Sequence, residues 1–414
     1  MTIKRFVLKT LLLIFPAVCF GQSNYDIVIK GGHVIDPKNN IDAIMDIAIK
    51  GNKIAAVAQN INEQGSGRII DAKGLYVTPG LIDAHAHVYF GTKNGYVTGD
   101  GYKSVQPDAF SFRTGVTTMI DCGSAGYRTF PKFKETIIDN SQTRVLALIN
   151  IVGEGLRGGP FEQTTKDMIA HRAADMAKQY PDVVVGLKLA HYNGHEWGPT
   201  DSVVRAGNLA NLPVVIDFGS ARPPLPIDEL LLKHLRPGDV YSHAYAYLSS
   251  RESIIDENGK VRPCVFEAVK RGIKFDVGYG ELSFSWKVAV PSLEQGFIAD
   301  VISTDLHAGS MNKPMQDMPN IMSNFLALGI PLQDVINRST WQPALMINRP
   351  DLGNLSVGTE ADVTLFSISK GDFWFADTAN EKIKGTEKLV AELTIRAGRI
   401  VWDLNGLTAT EFQK

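Results

Sequence analysis

From about Leu75 to about Arg349 the chain alternates apolar, β-rich runs with helical stretches, and this alternation constrains its fold more than any other feature. The runs are YVTPGLIDAH, VTTMID, RVLALINI, VVVGLKLA, PVVIDFG, DVYSHAY, KFDVGYG and DVISTDL, eight in all. Such runs suit strands buried on both faces, and helix candidates such as IDELLLKHL and MPNIMSNFLALG follow them, so the sheet should be parallel with crossover helices. Eight units predict an α/β fold, a closed (β/α)8 TIM-type barrel, whose functional side chains project from the C-terminal ends of the strands.

The flanks have another texture. YDIVIKGGHVIDPKNNIDAIMDIAIKGNKIAAVAQN reads as short strands broken by Gly-Gly, Pro-Lys-Asn-Asn and Gly-Asn turns, and ADVTLFSI and TIRAGRIVWDLNG resume it near the other end. Lone hairpins are marginal, so the two ends are expected to pair. The expectation is a small β-sandwich domain from residues 25–78 plus 351–406 and a barrel over 79–350. A length of 414 residues suits two such units.

Lys4, Arg5 and Lys9 precede the apolar run Leu11 to Phe20 and Gly21, the order of a secretory signal peptide over residues 1–21. The run is shorter than the ~20 residues of a spanning helix, so the expectation is an exported protein, periplasmic or secreted, with no stable membrane anchor after signal removal. Lipid attachment at Cys19 competes with this, but Pro16, Ala17 and Val18 fit that pattern poorly. A net charge of -2, with no block of like charge, excludes the basic surface that nucleic-acid binding requires. Cys122 and Cys264, the two cysteines beyond residue 21, cannot make a disulfide framework.

Polar residues at the strand ends then select themselves. GLIDAHAHVYFG ends the first run with His85 and His87, whose i, i+2 spacing points both imidazoles to one side of a strand. In the fourth run Lys188 stands among apolar neighbours. It is either salt-bridged or reaching for solvent, or it is an amine that captures carbon dioxide and offers two carbamate oxygens to metal. The sixth run ends with His243 and the eighth with Asp305 and His307. Asp305 can ligate metal and take a proton from water, while His307 can support it by hydrogen bonding. A core histidine at 243 and a helix cap at 305 are the bland alternatives; four strand ends carrying such residues together argue against them.

These blocks, with DIVIKGGHVIDP, GVTTMIDCGSAG, STWQPALMI and LGNLSVGTEADVTLF in order, resemble the amidohydrolase superfamily, and within it the amidohydrolase/deacetylase or dihydroorotase-like metallohydrolases. The resemblance implies that His85, His87 and Asp305 bind one metal, and that a carboxylated Lys188 bridges to a second completed by histidines of the fifth and sixth strands. His243 fills the sixth-strand place. The fifth run has Asp217 where the pattern has histidine. Three readings stay open: Asp217 is itself a ligand, His191 or His195 of the AHYNGHEWG loop substitutes, or the second site is weak. Ala190 replaces an arginine and Tyr279 a histidine of the pattern, so the usual substrates of the family do not transfer directly.

The expected cofactor is Zn2+, one or two ions per chain, and the expected partner a small-molecule substrate; a homo-oligomer is compatible with the sequence. The expected reaction is hydrolysis of an amide or ester, with Asp305 as general base and acid and Tyr279 as an oxyanion donor. Removal of a small acyl group from a compact organic acid or amine leads. A cyclic-amide hydrolase, an N-acyl amino acid or dipeptide hydrolase, and a degenerate metal- or ligand-binding barrel without turnover are the rivals. Cys122 is expected to be a packing residue.

Overall fold

The computed structural model describes residues 24–219 and 221–413; the signal-peptide reading of residues 1–21 and the Cys19 alternative lie outside the described residues. Among the described residues no helix is long and apolar enough to cross a membrane.

Five strands come first: β1 (Ile27–Asp36), β2 (Ile41–Lys50), β3 (Lys53–Ala58), β4 (Arg68–Asp71) and β5 (Tyr76–Pro79). Seven parallel strands follow: β6 (Leu81–Ala86), β7 (Val116–Asp121), β8 (Arg144–Asn150), β9 (Val184–Leu189), β10 (Val214–Ile216), β11 (Val240–Tyr241) and β12 (Lys274–Phe275). Three more end the chain: β13 (Val363–Ala376), β14 (Lys382–Arg396) and β15 (Arg399–Asp403).

The two ends form one eight-stranded sheet in the order β15-β14-β13-β5-β1-β2-β3, with β4 also paired to β1. The sheet branches at β1, where the register shifts between Ile29 and Gly32, and its core holds Ile29, Ile47, Ile70, Val77, Leu365 and Leu393. The expected first barrel run is therefore divided. Tyr76–Pro79 pairs antiparallel with β13, while Leu81 onward enters the barrel. Gly80 lies at the break, where any Cβ would overlap Thr117.

The eighth run forms no regular strand but closes the ring. Val277 and Tyr279 N–H groups donate to the Val301 and Ser303 carbonyls, and His87 N–H donates to the Leu306 carbonyl at 2.8 Å. Between those contacts Thr304 N–H turns to the Asp83 carboxylate and Asp305 adopts φ 51°, which interrupts the ladder where the site is built. Inside the ring Ile82, Ile120, Leu148, Val215 and Val301 fill the lumen. Parity along the strands continues from these fillers to polar residues, Leu148 to Asn150 and Val215 to Asp217, which sets the polar end of the barrel over an apolar plug.

The β13–β14 hairpin does more than complete the terminal sheet. Its outer half leaves that sheet, and Phe366, Phe375, Leu389 and Ala391 join the core that packs around the barrel. Leu389 N–H donates to Ser323 Oγ on the helix Met318–Ala327, and at the hairpin tip Asp377 accepts from Trp286 N–H while Thr378 N–H donates to the Phe284 carbonyl. Arg144 on β8 adds ion pairs to Asp362 at 2.6 Å and Glu360 at 2.7 Å.

Candidate metal centre

His85 and His87 are buried where β6 ends, and each has its Nδ1 side occupied. His85 Nδ1 is 3.0 Å from Asp276 Oδ2 and 3.0 Å from Ser242 Oγ; His87 Nδ1 is 3.0 Å from Ser124 Oγ. Ser303 Oγ in turn donates to Asp276. The Nε2 atoms are thereby turned inward, 3.6 Å and 3.1 Å from Asp305 Oδ1. Among the described residues His85, His87 and Asp305 are the trio whose ligand atoms all lie within 4.8 Å of one another. Two imidazoles and a carboxylate, with carboxylate and hydroxyl groups behind the rings, make a donor set that fits a divalent ion.

The electrostatics agree. Burial pushes the His85 imidazolium down to about 4, helped by the Lys188 charge, so the ring is neutral at pH 7 and its Nε2 lone pair is free. Burial also resists charge on Asp305, but His85, His87 and His307 outweigh it and hold the carboxyl below its ordinary range. Asp276 behaves alike: desolvation is overcome by His85, Ser303 and Ser242.

Lys188 is buried, and its Nζ has no hydrogen-bond partner among the described residues. Its stem crosses Gly123 at φ 82°, where an added Cβ would lie 2.6 Å from the lysine Cβ. Burial opposes the ammonium, but the Cys122 thiol and the Asp217 and Asp305 carboxylates outweigh it and raise the lysine pKa, so the charge is offset while the nitrogen still lacks a hydrogen-bond acceptor, a second mark of a ligand-binding position.

Asp217, just beyond β10, meets several partners. Its Oδ2 is 3.6 Å from His243 Nε2 and 3.3 Å from His191 Nε2, and its Oδ1 is 3.3 Å from Arg251 Nη2. Burial opposes its charge, yet His243, His191 and Arg251 hold the carboxyl well below the usual range. His243 Nδ1 donates to the Gly278 carbonyl at 2.6 Å. Desolvation likewise opposes the His191 cation, but the hydrogen bond to Glu162 and the Asp217 charge raise its pKa above the ordinary value, so a cation bound between His191 and Asp217 would have to displace that proton. His191, His243 and Asp305 all have positive φ, 57°, 59° and 51°, a conformation uncommon for residues with a Cβ, in which Asp and His are over-represented.

Two expectations are corrected. Tyr279 does not face the centre: its ring stacks on Phe284 at 4.2 Å, its hydroxyl donates to the Ala376 carbonyl at 2.6 Å, and Asn324 Nδ2 donates to that hydroxyl. It bolts the barrel to the terminal hairpin and has no free donor for an oxyanion. His307 supports neither Asp305 nor His87 by a hydrogen bond; its Nδ1 accepts from Gly309 N–H. His195 is exposed and does not line the cavity. Cys122 is buried, its thiol pushed up to about 12 by desolvation, and it packs in the barrel lumen.

Sequence reasoning passed over Asp276, Ser124, Glu162 and Arg251. Asp276 carried a signal, an acid inside the apolar run KFDVG; the other three lie in loops without one. Above the centre opens a cavity of about 300 Å³ bounded by Val97, Lys103, Leu156, Leu248, Leu282 and His307.

Comparison with known proteins places these features in a family. The model of the amidohydrolase family matches residues 285–401. A protein of Brucella anthropi named a deacetylase is 32% identical over 349 residues, covering 81% of this chain and 83% of its own. A deacetylase of Agrobacterium fabrum is 33% identical over 345 residues, covering 80% and 81%. Among solved structures, one described as an adenine deaminase superposes with a TM-score of 0.82 at 27% identity, covering 92% of this chain and all of that one. One described as a dihydroorotase gives 0.79 at 29% identity, covering 91% and 99%. With the barrel, the terminal sheet and the inward-facing histidines in the same chain, it belongs to the amidohydrolase family.

Proposed function

We propose that this chain is a metal-dependent hydrolase that removes a small acyl group, such as acetyl, from a compact organic acid or amine. The observation that carries this reading is the convergence of the His85 and His87 Nε2 atoms on Asp305 beneath an open cavity. The relatives named as deacetylases support the acyl group.

His85, His87 and Asp305 would hold one divalent ion, zinc by their donor chemistry, and Lys188 as its N-carboxylated form, Asp217 and His243 would hold a second. Such ions lower the pKa of water towards ~7 and polarise a scissile carbonyl. Asp305, kept ionised by its histidine neighbours, accepts the proton of the attacking water and returns it to the leaving group. Asp276 and the Gly278 carbonyl fix the tautomers of His85 and His243. Val97, Leu156, Leu248 and Leu282 bound the cavity and limit the substrate to a compact one.

The test is zinc analysis of the full chain with hydrolysis of a panel of N-acetyl amino acids and acetyl esters. At least one equivalent of zinc and turnover of one class are expected. Less than one equivalent, no turnover and no loss of thermal stability on chelation would reject the reading in favour of a barrel without activity. The likeness to a structure described as a dihydroorotase supports a second reading, hydrolysis of a cyclic amide, which ring-opening assays on the same sample separate from the first. Export belongs to the proposal through residues 1–21, and cell fractionation checks it.

A further inference from the structure

We infer that His191, from the loop after β9, completes the second cation site together with Asp217 and His243. The inference rests on the reading of this chain as a metal-dependent hydrolase and concerns how its altered side is built.

The geometry around Asp217 repeats that around Asp305. At Asp305 one carboxylate oxygen faces two Nε2 atoms at 3.6 and 3.1 Å; at Asp217 one oxygen faces His243 and His191 at 3.6 and 3.3 Å. The other Asp217 oxygen is taken by Arg251, which leaves Oδ2 as the donor turned to the histidines. His191 also has the backing of a ligating imidazole. Its Nδ1 lies 2.7 Å from Oε2 of Glu162, a buried carboxylate, so Nε2 is the nitrogen presented to the cavity.

Chain topology explains why a loop residue can do this. β9 and β10 pair in parallel, and Asp217 N–H donates to the Leu189 carbonyl, which places Asp217 beside the start of the loop. At His191 the backbone turns left-handed, φ 57°, an uncommon conformation for a residue with a Cβ. A half-exposed imidazole directed only at solvent would need no such turn. The orphaned Lys188 Nζ, on β9 three residues before His191, is an independent sign of a ligand between β9 and β10.

This second trio is looser than the first, since among the described residues only His85, His87 and Asp305 bring all their ligand atoms within 4.8 Å. Two zinc affinities should therefore be seen, the weaker belonging to the His191 side.

The test is calorimetric titration of the chelator-stripped full chain with zinc chloride, with stoichiometry checked by mass spectrometry. Wild type should take two equivalents. His191→Ala should take one, with the tighter affinity unchanged. Glu162→Gln should keep two but weaken the second by about 10–100-fold, as loss of a carboxylate behind a histidine ligand does. His195→Ala should match wild type. Two equivalents at wild-type affinities in His191→Ala would overturn the inference, as would a wild type that binds one. A wild type that binds none would instead overturn the proposed function. Loss of both equivalents in His191→Ala, with Glu162→Gln unchanged, also counts against a separate His191 site.

Discussion

His87 Nε2 stands 3.1 Å from Asp305 Oδ1, although the two residues come from opposite ends of the barrel sequence. That contact makes Asp305 the base of the proposed reaction. Asp305→Asn should lower kcat by about 10²–10⁴-fold, the range for loss of a general base. Asparagine tolerates positive φ well and removes a buried charge, so the metal-free melting temperature should hold or rise. Activity within a few-fold of wild type would sink the assignment.

Asp276 faces His85 Nδ1 at 3.0 Å from β12's side of the barrel. Asp276→Asn can still hydrogen-bond but no longer complements the imidazole charge. Zinc affinity measured by chelator competition should fall by about 10–100-fold. An unchanged affinity would show that Ser242 alone orients the ring.

Tyr279→Phe separates the sequence expectation from the structural finding. The hydroxyl serves Ala376 and Asn324, so its removal should cost stability, about 1–3 kcal/mol for buried partners left unpaired. Per metal-loaded molecule, kcat should stay within about two-fold. A large kcat loss without destabilisation would restore Tyr279 to the reaction.

Glu360 links the acid response to the junction between the terminal sheet and the barrel. Burial resists its charge, but Arg396 and Arg144 outweigh this and hold its carboxyl below the ordinary range. A depressed folded-state pKa contributes stability that is complete above the unfolded value, about 4.3, and is lost as the pH falls through the folded one. The wild-type melting temperature should therefore drop more steeply below pH 5 than that of Glu360→Gln, and the two curves should converge. Parallel curves would show that the pair contributes nothing.

Much of this was legible in the residues, for reasons that also mark the limits. The barrel was readable because strands buried on both faces must be apolar, and His85, His87, Lys188, His243 and Asp305 stood out as polar exceptions at the strand ends. Tyr279 misled because a strand position specifies which way the backbone runs but not what a long side chain reaches, and here it reaches the hairpin. Arg251 and Glu162 left no trace, since a loop side chain acquires its partner only when distant segments meet. The outer half of β13–β14 shows no regular alternation, so neither its strands nor their departure onto the barrel had a signature in the residues.

That hairpin sets an order of events for a chain emerging from a ribosome. β5 waits for β13 on one edge, and Phe284 and Trp286 wait for residues 377–381, so the junction beside the first-made strands and the segment after β12 both lack a partner until residues 363–381 have been made. Contacts of such long sequence separation form slowly. A stop codon shortly before residue 363 would thus leave a molecule containing every residue of the metal centre but neither the partner of β5 nor the hairpin tip that meets Phe284 and Trp286.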